Sequence, residues 1–241
     1  MANYILFVFE GEKTERLIFD KLKRYFFNDP TKDILISYHC GEIYSLYHKL
    51  KNDPGLDLYG VLQETPGHQG QLHGISRTDI SETYLFFDYD GHAPAATDTK
   101  LLEQLSFFDN ETDEGKLYIS YPMVEALQHL QTGTPFQGIR VKAKENIHYK
   151  DIAKANCDAC FANLGRLALV SWKIIISEHC KKLNHLMTGS FTLPVEISEQ
   201  LDVFEQQLDK HITPNGEVAV LSAFPVFILD YYGASKLPDL I

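Results

Sequence analysis

Two short runs without polar alternation, Tyr4-Ile-Leu-Phe-Val-Phe9 and Thr83-Tyr-Leu-Phe-Phe87, constrain this chain more than any other feature. A strand with one wet face alternates apolar and polar residues. An unbroken apolar run of about four to six residues suits a strand covered on both faces, as in a parallel sheet packed between helices. The intervening sequence carries the helical period. Thr14 to Phe27 places Leu17, Ile18, Leu22 and Phe26 on one face, and Ile43 to Lys51 and Asp98 to Phe107 are further helices. Ile34 to Tyr38 and Leu117 to Tyr121 complete the strands, Pro66 to Gly70 marks a loop, and Met123 to Leu130 reads as a helix. Strands alternating with helices give an α/β fold around a mainly parallel sheet.

Beyond residue 145 the pattern changes. Ile152 to Leu186 is long and helix-like, with Trp172, Ile174, Ile175 and Ile176 too apolar to face water. Ser198 to His211 reads as an amphipathic helix that Ser198 caps, and Val218 to Tyr232 as a closing helix. The expected organisation is an α/β core over residues 1–145 and a helical portion over 146–241 packed on it.

The chain has 22 basic and 33 acidic side chains, a formal net charge of −11. That balance argues against nucleic-acid binding by bulk charge. It leaves room for an acidic site whose divalent cations face a phosphate. No apolar stretch approaches the ~20 residues that span a bilayer. The N-terminus enters a strand-like segment without a basic leader, so a cytoplasmic protein without membrane contact is expected. Four cysteines are too few for a disulfide scaffold, and reduced thiols are expected.

Two acidic clusters follow the two apolar runs at once. One is Glu10-Gly-Glu12-Lys-Thr-Glu15, the other Asp88-Tyr-Asp90-Gly91. Ligands of open α/β sheets bind at the carboxyl ends of strands. If the two strands are neighbours, Glu10, Asp88 and Asp90 converge there. Alternation in Asp-x-Asp puts both carboxylates on one side of an extended segment. Clustered carboxylates repel, and a divalent ion with oxygen ligands relieves that repulsion.

Phe9-Glu-Gly-Glu-Lys-Thr-Glu15 followed by Phe87-Asp-Tyr-Asp90 resembles the Toprim fold of type IA topoisomerases, DnaG-type primases and OLD-family nucleases. The nearest variant is that of small stand-alone RloB-like and AriB-like proteins of bacterial anti-phage systems. Ser120-Tyr-Pro-Met-Val-Glu125 is similar to the strand-to-helix Asn-Pro-x-x-Glu segment of the RloB-like group. The resemblance covers residues 3 to about 130. It implies a nuclease in which Glu10, Asp88 and Asp90 bind Mg²⁺ or Mn²⁺, with Glu125 as a fourth acidic catalytic residue. It also implies a nucleic-acid substrate and an ATPase partner protein, and leaves homo-oligomerisation open. Glycine after the Asp-x-Asp and His92 depart from the pattern, and Glu12 or Glu15 can replace or assist Glu10. Lys142 and Lys144 are candidates for the late lysine of OLD nucleases, although a solvated strand edge explains them as well. The alternatives are a non-catalytic Toprim-like module in a larger assembly and a small-molecule phosphatase with Asp88 as nucleophile.

Other features carry less. Cys157-Asp-Ala-Cys160 has zinc-site spacing, with His179-Cys180 further on, but helical geometry turns His179 and Cys180 apart, so buried structural thiols are expected. His68, His73 and His92 lie in loops near the presumed site. Gly11-Glu-Lys-Thr14 holds only half of a Walker A pattern, which excludes ATP hydrolysis by this chain.

Overall fold

The computed structural model describes residues 4–27, 31–38, 41, 43–53, 55–64, 72–93 and 96–241. The Pro66–Gly70 loop with His68, and Cys40, lie outside the described residues. The chain is α/β, and two compact units interleave along it: Met1–Phe87 with Thr99–Leu117, and Asp88–Asp98 with Tyr118–Ile241.

The first unit carries most of a mainly parallel five-stranded sheet flanked by helices, with strand order β2-β1-β3-β5-β4. Its strands are β1 (Tyr4–Phe9), β2 (Asp33–Tyr38), β3 (Ile80–Asp88), β4 (Asp109–Asn110) and β5 (Gly115–Ser120). β1 runs parallel to both β2 and β3, and β4 is antiparallel to β5. Ile5 to Phe9 are all buried, which is why that run has no polar alternation. Phe7 meets Phe19 at 4.4 Å between ring centroids, and Phe9 meets Phe86 of β3 at 5.4 Å. Phe19 belongs to α1 (Lys13–Phe26), whose buried face is Glu15, Ile18, Phe19, Leu22 and Phe26. Leu17 is half exposed rather than part of that face, because Phe19 supplies the larger ring toward Phe7 and Phe9. Three further helices are α2 (Ile43–Asn52), α3 (Leu58–Glu64) and α4 (Asp98–Phe107).

The second unit is mainly helical. Its helices are α5 (Tyr149–Ala155), α6 (Leu169–Thr188), α7 (Gln200–Gln207), α8 (Thr213–Asn215), α9 (Ala223–Tyr232) and α10 (Leu237–Leu240). A small antiparallel sheet pairs β6 (Arg140–Lys142) with β7 (Glu217–Ala219). Trp172, Ile175, Ile176, Leu183 and Leu186 of α6 are buried, and α6 packs on α9 and α7. Ile174 points away and stays 45 % exposed, since one helix cannot bury three consecutive isoleucines on one face.

Four sequence-based elements change in detail. Met123–Leu130 is a five-residue 3₁₀ turn, Val124–Gln128, because Pro122 precedes it and Thr-Gly-Thr-Pro closes it too soon for an α-helix. Ile152–Leu186 is interrupted between α5 and α6, where Asn156, Asn163 and Gly165 fall. α7 begins at Gln200 after Glu199, and Ser198 does not cap it. Val218–Tyr232 divides into β7 and α9, because Val218 pairs with Val141 and Leu221 bridges Tyr121. The fully buried Gln207 donates to the Ala219 carbonyl at 2.9 Å and accepts from its amide at 2.8 Å, standing in for a neighbouring strand.

Candidate acidic site

In the first unit, Glu10 follows β1, and its amide donates to the Phe86 carbonyl at 3.1 Å, prolonging the β1–β3 ladder. Glu15 folds back and accepts the Gly11 amide at 3.2 Å. A Cβ at residue 11 would stand 2.8 Å from that carboxylate, so glycine admits this close approach. Glu15 is thereby engaged on the backbone at the helix entrance, and Glu12 is exposed. Glu10 is therefore the member of this cluster whose side chain is neither folded onto the helix entrance nor fully out in solvent.

The second unit carries the other carboxylates. Asp88 is the last residue of β3, and the chain leaves the strand there. The Tyr89 amide still donates to the Ser120 carbonyl at 3.0 Å, and the Asp90 amide to the Pro122 carbonyl at 3.4 Å. Asp90 then adopts φ +38°, a left-handed conformation that aspartate tolerates better than most residues. The extended geometry expected through Asp-x-Asp ends at Asp88, so alternation does not set both carboxylates on one side. The turn is closed by the Ala93 amide donating to the Asp90 carbonyl. Gly91 lies against Tyr89 and the Ala143 carbonyl, which a Cβ would meet at 2.6 Å. Asp90 Oδ1 is 2.9 Å from His92 Nδ1.

Between the two aspartates, Tyr89 is buried against Tyr121 and Phe204. Its hydroxyl donates to Asp98 Oδ1 at 3.0 Å, and Lys144 Nζ reaches Asp98 Oδ2 at 2.6 Å. Lys144 pairs with Asp98 while staying exposed, and Lys142 lies 3.8 Å from Glu217.

Glu125 is buried on its 3₁₀ turn. Its Oε1 meets Lys150 Nζ at 3.2 Å, and its Oε2 is buried with no hydrogen-bond partner among the described residues. Next to it, Tyr149 is buried with its hydroxyl 2.9 Å from His129 Nδ1. Burial pushes the Tyr149 phenol well above its ordinary pKa, and the charges of Glu125 and then Asp88 push it further. Two carboxylates distant in sequence therefore bear on one hydroxyl. His129 is held down to about 4, first by burial and then by the positive charge of Lys182.

A cleft of about 30 Å³, room for one or two waters, opens beside this group. Asp90, His92, Lys142, His148 and Tyr149 line it. His148 also has a positive φ, +51°, so both non-glycine residues with left-handed backbone among the described residues line the same cleft. Such conformations gather at functional sites.

Among the described residues, no three His, Cys, Asp or Glu side chains stand together as a ready metal site. The Cys157/Cys160 half-motif is no exception, and those two residues are half-buried and exposed, respectively, rather than buried. Among the described residues, Cys180 is the one buried thiol, raised by burial and set against the Pro225 carbonyl. Tyr149, His129, Lys150 and Asp98 do not stand out in the sequence as site residues. The polar, aromatic run His148-Tyr-Lys150 at the start of α5 hints at two of them, since the relation of Tyr149 and Lys150 to Glu125 is purely tertiary. No helix of the described residues is long and apolar enough to cross a membrane. Compared with known proteins, the chain matches no family model, no curated protein and no solved structure.

Proposed function

We propose that this chain is a phosphodiesterase acting on nucleic acid, with Mg²⁺ or Mn²⁺ held by oxygen ligands. The observation that carries this reading is the buried Oε2 of Glu125, which has no hydrogen-bond partner among the described residues and lies on the turn that packs against the helix of Tyr149. A buried carboxylate oxygen without a donor is costly, and such exceptions need an explanation. Hard oxygen donors of this type suit a divalent cation that keeps several of its waters. When bound, the ion supplies an activated water and stabilises charge on the phosphate.

In this reading Glu125 and Asp88 hold the ion, and Asp90 joins them when its carboxylate leaves His92. Glu10 keeps the ligand role that the resemblance implies, argued from sequence alone. Tyr149, kept protonated, remains a hydrogen-bond donor or acceptor and adds no third negative charge. The mainly parallel sheet is compatible with a Toprim-like core. The defence role and the ATPase partner rest on the resemblance, and the net charge of −11 gives a reason for help in approaching nucleic acid.

A non-catalytic module is the second reading. It is favoured by the partners that these carboxylates already have: His92 for Asp90, Lys144 for Asp98 and Lys150 for Glu125. Thermal melting during Mn²⁺ titration separates the two. A phosphodiesterase site gains stability with the ion, and Glu125→Gln abolishes that gain. No shift at millimolar Mn²⁺, with no cleavage of labelled DNA or RNA, leaves the inert module standing.

A further inference from the structure

Within an acidic chain, the eleven residues from 140 to 150 hold five basic side chains, Arg140, Lys142, Lys144, His148 and Lys150, against one acid, Glu145. Their placement is regular. All five are exposed, while Ala143 and Tyr149 between them are buried and Val141 and Ile147 are half-buried. In β6 this follows from the strand period, since Val141 faces inward opposite Val218 and Arg140 and Lys142 face out. Alternate residues of a strand lie about 6.6 Å apart, a spacing within reach of successive phosphates on an extended strand of nucleic acid.

The backbone beneath is held in place. The Ala143 amide donates to the Gly216 carbonyl at 2.9 Å, and the Val220 amide to the Ile139 carbonyl at 3.2 Å. The strip ends at the acidic group. Lys142 and His148 line the cleft beside Asp90, and Lys150 touches Glu125. Its field is felt behind it as well. After burial, the Arg140 charge is what lowers buried Lys182 and His211 further.

We infer that Arg140 to Lys150 is the track on which the phosphodiester backbone of a single nucleic-acid strand lies as it passes the mouth of the acidic cleft. The inference rests on the nuclease reading and names its substrate surface. A chain of net charge −11 repels a polyanion at long range, so binding falls to a local basic strip at contact range. Edge strands also carry lysines simply to prevent sheet pairing. That bland role predicts no effect on nucleic-acid affinity.

The test measures anisotropy of a fluorescein-labelled single-stranded oligonucleotide in EDTA, so binding is read without cleavage. Wild-type protein at about 50 mM salt is expected to bind, with log K falling linearly in log salt. Arg140→Glu with Lys142→Glu is expected to weaken binding at least ~10-fold and to lower the salt slope by about 0.7 for each phosphate no longer neutralised. Lys23→Glu with Arg24→Glu, an equal charge change on α1, serves as the control. Arg140→Gln with Lys142→Gln replaces the reversal if melting shows that it unfolds. No wild-type binding, or equal losses in the strip and control variants, overturns the track. Because EDTA removes the metal from this measurement, its outcome is independent of the nuclease reading, which falls only if Mn²⁺ gives neither stabilisation nor cleavage.

Discussion

Lys150 Nζ lies 3.2 Å from Glu125 Oε1, and the two ends of this pair have opposite surroundings: the lysine side chain is 69 % exposed and the carboxylate 5 %. The lysine loses little by pairing, whereas the glutamate has few other sources of compensation. Removing the lysine leaves a buried charge nearly alone.

Lys150→Ala is therefore expected to destabilise the protein by about 1–3 kcal/mol, the desolvation cost of a buried group without its partner. Glu125→Gln is expected to be neutral or stabilising, because it removes the buried charge and keeps the shape. The double variant should recover most of the Lys150→Ala loss. Urea melts of the four proteins complete the cycle, and strict additivity would show that the pair is not coupled.

Gly91→Ala and Gly11→Ala should differ in severity. At residue 11 the new methyl meets only the end of the flexible Glu15 side chain, which can swing away and lose one hydrogen bond, about 1 kcal/mol. At residue 91 it meets the Ala143 carbonyl at 2.6 Å and the Tyr89 ring at 2.5 Å, so backbone or a buried ring has to move. A loss of about 1–3 kcal/mol or more is expected there. Equal melting temperatures for the two variants would contradict this packing.

Stability is expected to fall in mild acid. Burial lowers His179 to about 3, and burial with Lys182 lowers His129 to about 4, against an ordinary 6.5. Between pH 6.5 and 4 the unfolded chain thus binds protons that the folded chain refuses. Their contribution is whole above pH 6.5 and is lost as pH falls toward the folded values. For fully buried His179 the slope reaches about 1.4 kcal/mol per pH unit. Denaturant melts from about pH 7.5 to about pH 4.5 read it, and His129→Gln should flatten the profile.

Asp88→Ala is expected to abolish metal-dependent cleavage, a loss of at least ~10²–10³ in rate, while the fold survives. In the proposed site, removing one of several like charges relieves repulsion in the metal-free protein. Cleavage assays include the proposed ATPase partner, and the Mn²⁺-induced melting shift is read on the chain alone. Wild-type cleavage by the variant would refute the site; an unfolded variant would make Asp88 structural.

The α/β class was legible because burial on both faces leaves a direct mark on sequence. β1 occupies Tyr4–Phe9 and α4 Asp98–Phe107, as the apolar runs and the helical period dictate. The same logic exposes Arg140 and Lys142 along β6, although their place beside an acidic cleft needs the fold. Local pattern misled where neighbours decided. Val218 belongs to a strand because Val141 is available to pair with it, and Asp90 leaves the extended conformation because its amide reaches Pro122 and its carbonyl closes a turn with Ala93. Tyr149, His129 and Lys150 became visible only in three dimensions, since a buried hydroxyl, a neutral imidazole and an ion pair with Glu125 are properties of packing rather than of spacing along the chain. Sequence alone determined which segments must be buried, because the hydrophobic effect acts on each residue wherever it stands. Tertiary structure decided which charges face one another, because Coulomb and hydrogen-bond energies depend on distances that the order of residues does not contain.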